Sequence, residues 1–313
     1  MYHSLLSNRL TALAAAAVFV ACVLGANSSL SAMTERLGDV DGFDAFVEAA
    51  EAAADRRTHA LTPLDDFKSL IGQENTVLLD TRSRDAFERL HIDGAVNVEF
   101  ADVSAETLLG VGIDSSTRVL IYCNNNFVSD GEPAAISLQS KSTRTALNVP
   151  TTVTLRQAGV DKVVELAEAV AFTDSRLPLV GSDAAEVERL RGRIGSEPLL
   201  LSGDGDATNP QIDYEGFLQF ASELAEEPVA DRVPPGAVFL DPRSDAAFAS
   251  SPTDAVHFNF SDFTAEKLAR RFPDKAAPLV VLRGKGTDNA LAPLALLNLR
   301  DYGYTNAVLE PAD

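Results

Sequence analysis

Two stretches of this chain repeat one another in register, and such a repeat constrains the fold more tightly than composition does. TVLLDTRSRDAF (76–87) returns as AVFLDPRSDAAF (237–248), pairing Asp80 with Asp241, Arg82 with Arg243 and Phe87 with Phe248 at an offset of 161. After a one-residue slip, GAVNVEFADVSAETL (94–108) returns as DAVHFNFSDFTAEKL (254–268) at an offset of 160. The apolar VLIY (119–122) answers to LVVL (279–282). Upstream, Asp39 and Phe43 match Asp213 and Phe217. Downstream, LRQAGVDKVV (155–164) matches LRDYGYTNAV (299–308) at an offset of 144. The offset falls from 160 to 144, so the first copy carries 16 more residues between VLIY and its closing helix. Polar residues matched in register set this repeat apart from the strand-then-Asp pattern common to αβ chains.

Each copy alternates short apolar runs with helical segments. Helices are expected around 43–54 and 217–226, through Phe87 and Leu90, over 104–109 with Ser104 as cap, and over 144–158 ending at Gly159. Strands are expected at 76–80, 95–100, 118–122 and 163–165. Apolar strands without clean alternation, separated by helices, imply an α/β fold: a mostly parallel sheet with helices on both faces, built twice. The expected division is a processing segment over 1–32, a first domain over 33–170, a linker over 171–210 and a second domain over 211–313. The linker reading rests on the turn-rich SGDGDATNP (202–210), although 182–194 reads as a helix.

The formal net charge of -20, from 26 basic and 46 acidic residues, is spread along the chain. That field repels nucleic acid and anionic membranes, so neither is an expected partner. Arg9 is the one charged residue among the first 32, and Leu10–Ala26 is an apolar or small-residue run of 17. A basic start before such a run has the form of a secretory signal. Three outcomes stay open: cleavage into the periplasm or exterior, lipidation at Cys22, and a retained membrane anchor; Met33 is an alternative start. Loss of this segment would leave Cys123 as the one cysteine, without an internal disulfide.

Taken together, these residues resemble a tandem rhodanese-like protein of the sulfurtransferase superfamily. LLDTRSRDAFERLHIDGAVNV carries the resemblance: Asp80 and Arg82 match the family's Asp-x-Arg, and His91, Gly94, Ala95 and Asn97 match its His-x-x-Gly-Ala-x-Asn. Cys123, directly after VLIY, matches the catalytic cysteine, which the resemblance implies takes up a sulfane sulfur as a persulfide and passes it on. The implied partners are a small sulfur-containing donor, such as thiosulfate or polysulfide, and a thiol-bearing acceptor; no cofactor is implied. Two features depart from the family. The usual tight loop after the cysteine is here CNNNFVSDGEP and runs on to Lys141, similar to a bacterial branch with YCNNNF and a long insertion before an ALN-x-PT helix (146–151). In the second copy Arg283 stands where the cysteine would be. A non-catalytic binding or scaffold protein of the cell envelope is therefore the alternative, and a redox-sensing cysteine a third.

Without the family, Cys123 still ends a central parallel strand, where open α/β sheets form ligand crevices. A nucleophile and a buried, inert thiol are both open there. Asn124, Asn125, Asn126 and Phe127 are the candidate substrate-binding residues, since a run of asparagines turns the chain sharply and can aim N–H groups at an anion. Such donors would depress the thiol pKa. Lys141 and Arg144 are candidates to fold over the pocket. Ser129 occupies the place of the arginine that a cysteine phosphatase needs. Asp80 with Arg82, and Asp241 with Arg243, read as charge-paired structural braces, with His91 a core or capping residue. None of the four histidines (His3, His59, His91, His257) forms a metal-ligand pair, and GKGTD (284–288) lacks the spacing of a nucleotide loop.

Overall fold

The five apolar strands of the first sheet are β1 (Leu61–Thr62), β2 (Thr76–Asp80), β4 (Ala95–Asn97), β5 (Arg118–Tyr122) and β7 (Lys162–Leu166), in the order β1-β7-β5-β2-β4. Every pairing is parallel, with Asp80 beside Tyr122 at the carboxyl ends of β2 and β5. A second parallel sheet is built from β10 (Val238–Asp241), β11 (Val256–His257), β12 (Leu279–Val281) and β13 (Ala307–Leu309), in the order β11-β10-β12-β13. The computed structural model describes residues 28–37, 43–128, 139–194, 211–227, 231–283 and 290–311.

Alternate residues of the central strands enter different cores, which is why the strands read as unbroken apolar runs. Leu79, Val119 and Ile121 face one way, against Met33 of helix α1 (28–37), Leu108 of α5 (Ala105–Gly110) and Leu155 of α6 (Asn148–Gln157). Leu78, Leu120 and Tyr122 face the other way, against Leu64 and Phe67 of α3 (Leu64–Leu70). A third core is shared by both sheets. It joins Phe46 of α2 (Phe43–Thr58), Cys123, Val149 and Val153 to Phe217 of α8 (Tyr214–Ala225), Leu240, Phe260 and the apolar face of α11 (Leu291–Asp301).

Residues 171–194 correct the linker reading. Val128 and Phe127 of β6 (Phe127–Val128) pair with β8 (Val170–Ala171), and His91 and Ile92 of β3 (His91–Ile92) pair with β9 (Leu179–Val180). Val187 and Leu190 of α7 (Ala184–Ile194) are buried with the α3 side of the first sheet. This segment packs against the first sheet through two-stranded sheets of its own, because its apolar residues have a core to enter; 195–210 and most of the processing segment lie outside the described residues. The 144–158 helix is corrected as well. A 3-10 turn over Thr143–Thr145 precedes α6, because Pro150 is accommodated only in a first helical turn, where its missing N–H has no intrahelical partner. The expected strand 95–100 ends at Asn97, and Phe100–Asp102 forms a 3-10 turn.

The sheets meet through bonds that mirror one another. Ser83 Oγ donates to Asp262 Oδ1 at 2.9 Å, while Ser244 Oγ donates to Asp102 Oδ1 at 2.5 Å. Between them the rings of Phe100 and Phe260 lie 5.3 Å apart, and Asn259 Nδ2 donates to Glu99 Oε2 at 2.6 Å. No helix among the described residues is long and apolar enough to cross a membrane; the 10–26 run lies outside them.

Candidate functional site at the Cys123 turn

Cys123 leaves the end of β5 in extended conformation, and Asn124–Asn126 then closes a 3-10 turn with Asn126 N bonded to Cys123 O at 3.0 Å. A short side chain with one donor and one acceptor group can tie such a turn to its surroundings. Each asparagine does so in a different direction. Asn124 Oδ1 accepts from Arg82 Nη1 at 2.8 Å, and its Nδ2 donates to Gln139 O at 3.0 Å. Asn125 Nδ2 donates to Lys141 O at 3.0 Å and Gln211 O at 2.8 Å. Asn126 Oδ1 accepts from Cys123 N at 2.9 Å and Asn148 Nδ2 at 3.0 Å, and its Nδ2 donates to Leu166 O at 2.8 Å.

Two buried ion pairs flank the turn. Asp80 accepts from Arg82 Nε and Nη2, and Tyr122 Oη donates to Asp80 Oδ2 at 2.6 Å. Burial opposes the Arg82 charge, but Asp80 and then Tyr122 outweigh it, so the guanidinium is held charged above its ordinary pKa. Burial, and then Asp80, push the Tyr122 phenol well up. On the other side Arg57 grips Glu165 through Nε at 2.8 Å and Nη2 at 2.5 Å, and Asn148 Nδ2 donates to Glu165 at 3.3 Å. Tyr122, Arg57, Glu165 and Asn148 escaped the sequence reading. Glu165 lies inside the apolar KVVEL, an anomaly that signals a buried partner, but no spacing points to Arg57 a hundred residues earlier.

The Cys123 side chain corrects the expected pKa. The residue is 1% exposed, and its S–H donates to Asn125 Oδ1 at 3.9 Å. Burial pushes the thiol up to about 11, although the Asn148 and Asn125 backbone N–H groups act to lower it. Desolvation thus outweighs the local donors. The thiol is therefore held in its neutral form at pH 7.

The expected pocket residues are placed differently from the sequence reading. The Asn125 and Asn126 amides are engaged with backbone, and Phe127 is buried edge-on against Tyr122 at 5.8 Å. Arg144 pairs with Asp301, and the Lys141 ammonium bonds Phe260 O, Phe263 O and Asn298 Oδ1, so both reach to the second sheet instead of folding over Cys123. Asn124 alone of the turn lines a cavity of about 270 Å³ between the sheets, with Arg82 and Gln139 on one side and Thr264, Lys267 and Arg270 on the other. Cys123 is not among its described lining residues.

The brace residues lie as follows. Asp241 and Arg243 form a pair like that of Asp80 and Arg82, with Thr253 Oγ1 donating to Asp241 Oδ2 where Tyr122 serves the first pair. His91 stacks on Phe87 at 3.7 Å with Nδ1 near Phe87 O, and His257 stacks on Phe248 at 4.3 Å. Arg283 donates from its backbone N–H to Glu310 Oε2 and from Nε to Glu310 O. Among the described residues no cluster of His, Cys, Asp and Glu is arranged to hold a metal.

Residues 63–167 match the family model of the rhodanese-like domain, and this stretch of the chain has the α/β rhodanese-like fold. No curated protein matches the chain. Among solved structures the chain is similar to thiosulfate sulfurtransferase from Pseudomonas aeruginosa, at 16% identity and a TM-score of 0.44, over 86% of this chain and 46% of that one. It is similar to SseA from Escherichia coli, a 3-mercaptopyruvate sulfotransferase, at 16% identity and a TM-score of 0.25, over 81% and 99% of the two chains. The BH2092 protein from Bacillus halodurans aligns at 18% identity and a TM-score of 0.26, over 37% of this chain and 72% of its own.

Proposed function

We propose that this chain is a tandem rhodanese-fold protein of the cell envelope that works as a non-catalytic binding module, with Cys123 a neutral core thiol. The observation that carries this is the thiol itself: 1% exposed, its S–H donating a hydrogen bond to Asn125 Oδ1, and its pKa pushed up by burial to about 11. A resting nucleophile needs access and a substantial thiolate fraction, and this group lacks both. The tandem reading is supported by the shared order of β7-β5-β2-β4 and β13-β12-β10-β11, by the two Asp–Arg braces, and by the reciprocal serine–aspartate bonds. The second copy has Arg283 at the cysteine position, which suits a fold kept for recognition. Export rests on the Leu10–Ala26 run, and intact mass of protein from the native envelope tests it: a mass that retains Met1–Ala26 rules out cleavage.

One observation favours sulfur transfer as a second reading. Cys123 follows β5 at the carboxyl edge of a parallel sheet, and the Asn148 and Asn125 backbone N–H groups act to lower its pKa. In that reading the Cys123 thiolate takes the outer sulfur of thiosulfate with release of sulfite, or a sulfur of polysulfide with release of the shortened chain. A thiol-bearing acceptor then takes that sulfur as its own persulfide and frees the Cys123 thiolate. One experiment separates the two. The folded protein is incubated with each donor and weighed, and its alkylation by iodoacetamide at neutral pH is timed against the urea-unfolded chain. The binding reading expects no added sulfur and alkylation of Cys123 slowed by about 100-fold or more. A one-sulfur adduct that disappears in Cys123→Ser and persists in Arg283→Ala replaces it with the sulfurtransferase reading.

A further inference from the structure

Lys141 ties the Cys123 turn to the second sheet. Its carbonyl accepts from Asn125 Nδ2 at 3.0 Å, two residues beyond Cys123. Its side chain crosses the seam, where Nζ donates to Phe260 O at 2.8 Å, Phe263 O at 3.2 Å and Asn298 Oδ1 at 3.0 Å. An ammonium has three N–H donors, and here each has an acceptor. The same Nζ lies 4.2 Å from the ring centre of Phe260 and 5.6 Å from that of Phe263. The residue is 7% exposed, and none of the described carboxylates forms an ion pair with it. Asp262, the acid that acts on it most, pairs instead with Lys267 at 2.8 Å.

We propose that Lys141 is a pH-sensitive latch between the two sheets: a buried lysine without a carboxylate partner, holding the seam closed over Cys123, which acidification loosens. Taking an ammonium out of water is costly unless a counter-charge is supplied, and this site supplies mainly dipoles and ring faces. Burial therefore brings Lys141 down to about 7. Asp262 on the 3-10 turn and Cys123 at the end of β5 act to raise it, Lys267 of α10 (Ala265–Arg271) acts to lower it, and Asn298 of α11 is uncharged. A solvated lysine keeps the ordinary 10.5. Between those two values the closed seam binds fewer protons than the open one, so closure weakens as pH falls through the window and levels off below about 7. Between pH 8 and pH 6 the closing equilibrium drops about tenfold. The neutral amine keeps two of the three bonds, a smaller loss than burying the charge. Opening exposes Cys123 because that side chain belongs to the core shared by both sheets. The latch acts on access to the thiol and is independent of whether the thiol carries sulfur.

The test uses the full chain in a Cys22→Ala background and 4,4′-dithiodipyridine, which reports thiols in acid and neutral solution alike. The reaction rate of Cys123 in the folded protein is divided into that of the urea-unfolded chain at the same pH, giving a protection factor. This factor is expected to fall about tenfold from pH 8 to pH 6 in the native protein and to stay level in Lys141→Met, which fills the same space without titrating. A level factor in the native protein overturns the latch, and so does an equal fall in Lys141→Met. If Lys141→Met does not fold, Lys141→Leu supplies the same comparison, and the native profile still decides against the latch whenever it is level.

Discussion

Asp80 is a fully buried carboxylate held by Arg82 and Tyr122, whereas its counterpart Asp241 is held by Arg243 and Thr253 nearer to solvent. The Arg82 side chain is 3% exposed and that of Arg243 20%, and the difference sets what each is worth. Removing one partner of a buried ion pair leaves an uncompensated charge and costs about 3–5 kcal/mol. Arg82→Met is therefore expected to lose about that much in urea unfolding, and Arg243→Met clearly less, since water already reaches the Arg243 end of its pair. Equal losses would show that burial does not govern the two braces. Tyr122→Phe removes a charge-assisted bond to Asp80 and strips Ile92 N of its acceptor, for an expected loss of about 1.5–3 kcal/mol. The braces were legible because Asp-x-Arg at a strand end is a local pattern seen twice. The chemical state of Cys123 was not, because it depends on burial beneath residues far along the chain. Local donors argued for a low pKa, and the desolvation that reverses the sign belongs to tertiary packing.

Helices α6 and α11 end alike, and their ends separate backbone strain from packing. Gly159 has φ 88° and Gly303 φ 89°, each followed by a residue whose N–H reaches back five positions, Val160 to Leu155 and Tyr304 to Leu299. A left-handed residue at this position is the common way to stop a helix, and glycine takes it without steric cost. A Cβ on Gly303 would meet only Lys275 at an ordinary 3.7 Å, so Gly303→Ala is expected to cost the left-handed strain alone, roughly 1–2 kcal/mol. At Gly159 a Cβ would meet the guanidinium end of Arg36, an exposed and flexible side chain that can swing aside, so Gly159→Ala should cost the same strain plus only the contact that Arg36 of helix α1 makes there. Hydrogen exchange in 28–37 checks this: faster exchange in Gly159→Ala and no change there in Gly303→Ala. Strands β2 and β5 were legible to the residue, since a buried parallel strand is a short apolar run. The 171–194 segment was not, because its two-residue strands leave no periodicity, and its place on the first sheet is set by partners such as His91 and Phe127.

Tandem domains joined by a linker ordinarily unfold one after the other, but these two sheets share a core. Cys123, Val149 and Phe46 from the first half are buried in one cluster with Phe217, Phe260 and Leu297 from the second. Tyr214 Oη donates to Ala50 O at 2.7 Å and Asn125 Nδ2 to Gln211 O at 2.8 Å, so separating the halves would strand buried polar groups as well as apolar surface. Phe100 and Phe260 pack on each other at the centre of the reciprocal serine–aspartate bonds. Removing either ring is expected to cost about 3–5 kcal/mol, and removing both less than the sum, because the second truncation no longer loses its partner. At pH 8, where the Lys141 latch holds, the seam is therefore expected to part in urea only together with the two sheets. In urea at pH 8, far-UV circular dichroism follows both sheets, while pulse labelling of Cys123 in a Cys22→Ala background follows the seam alone. One transition with coincident midpoints is expected from the two probes. Labelling of Cys123 at clearly lower urea than the loss of helix would mean that the halves part before they unfold, and the shared core would then be a contact between domains that stand on their own.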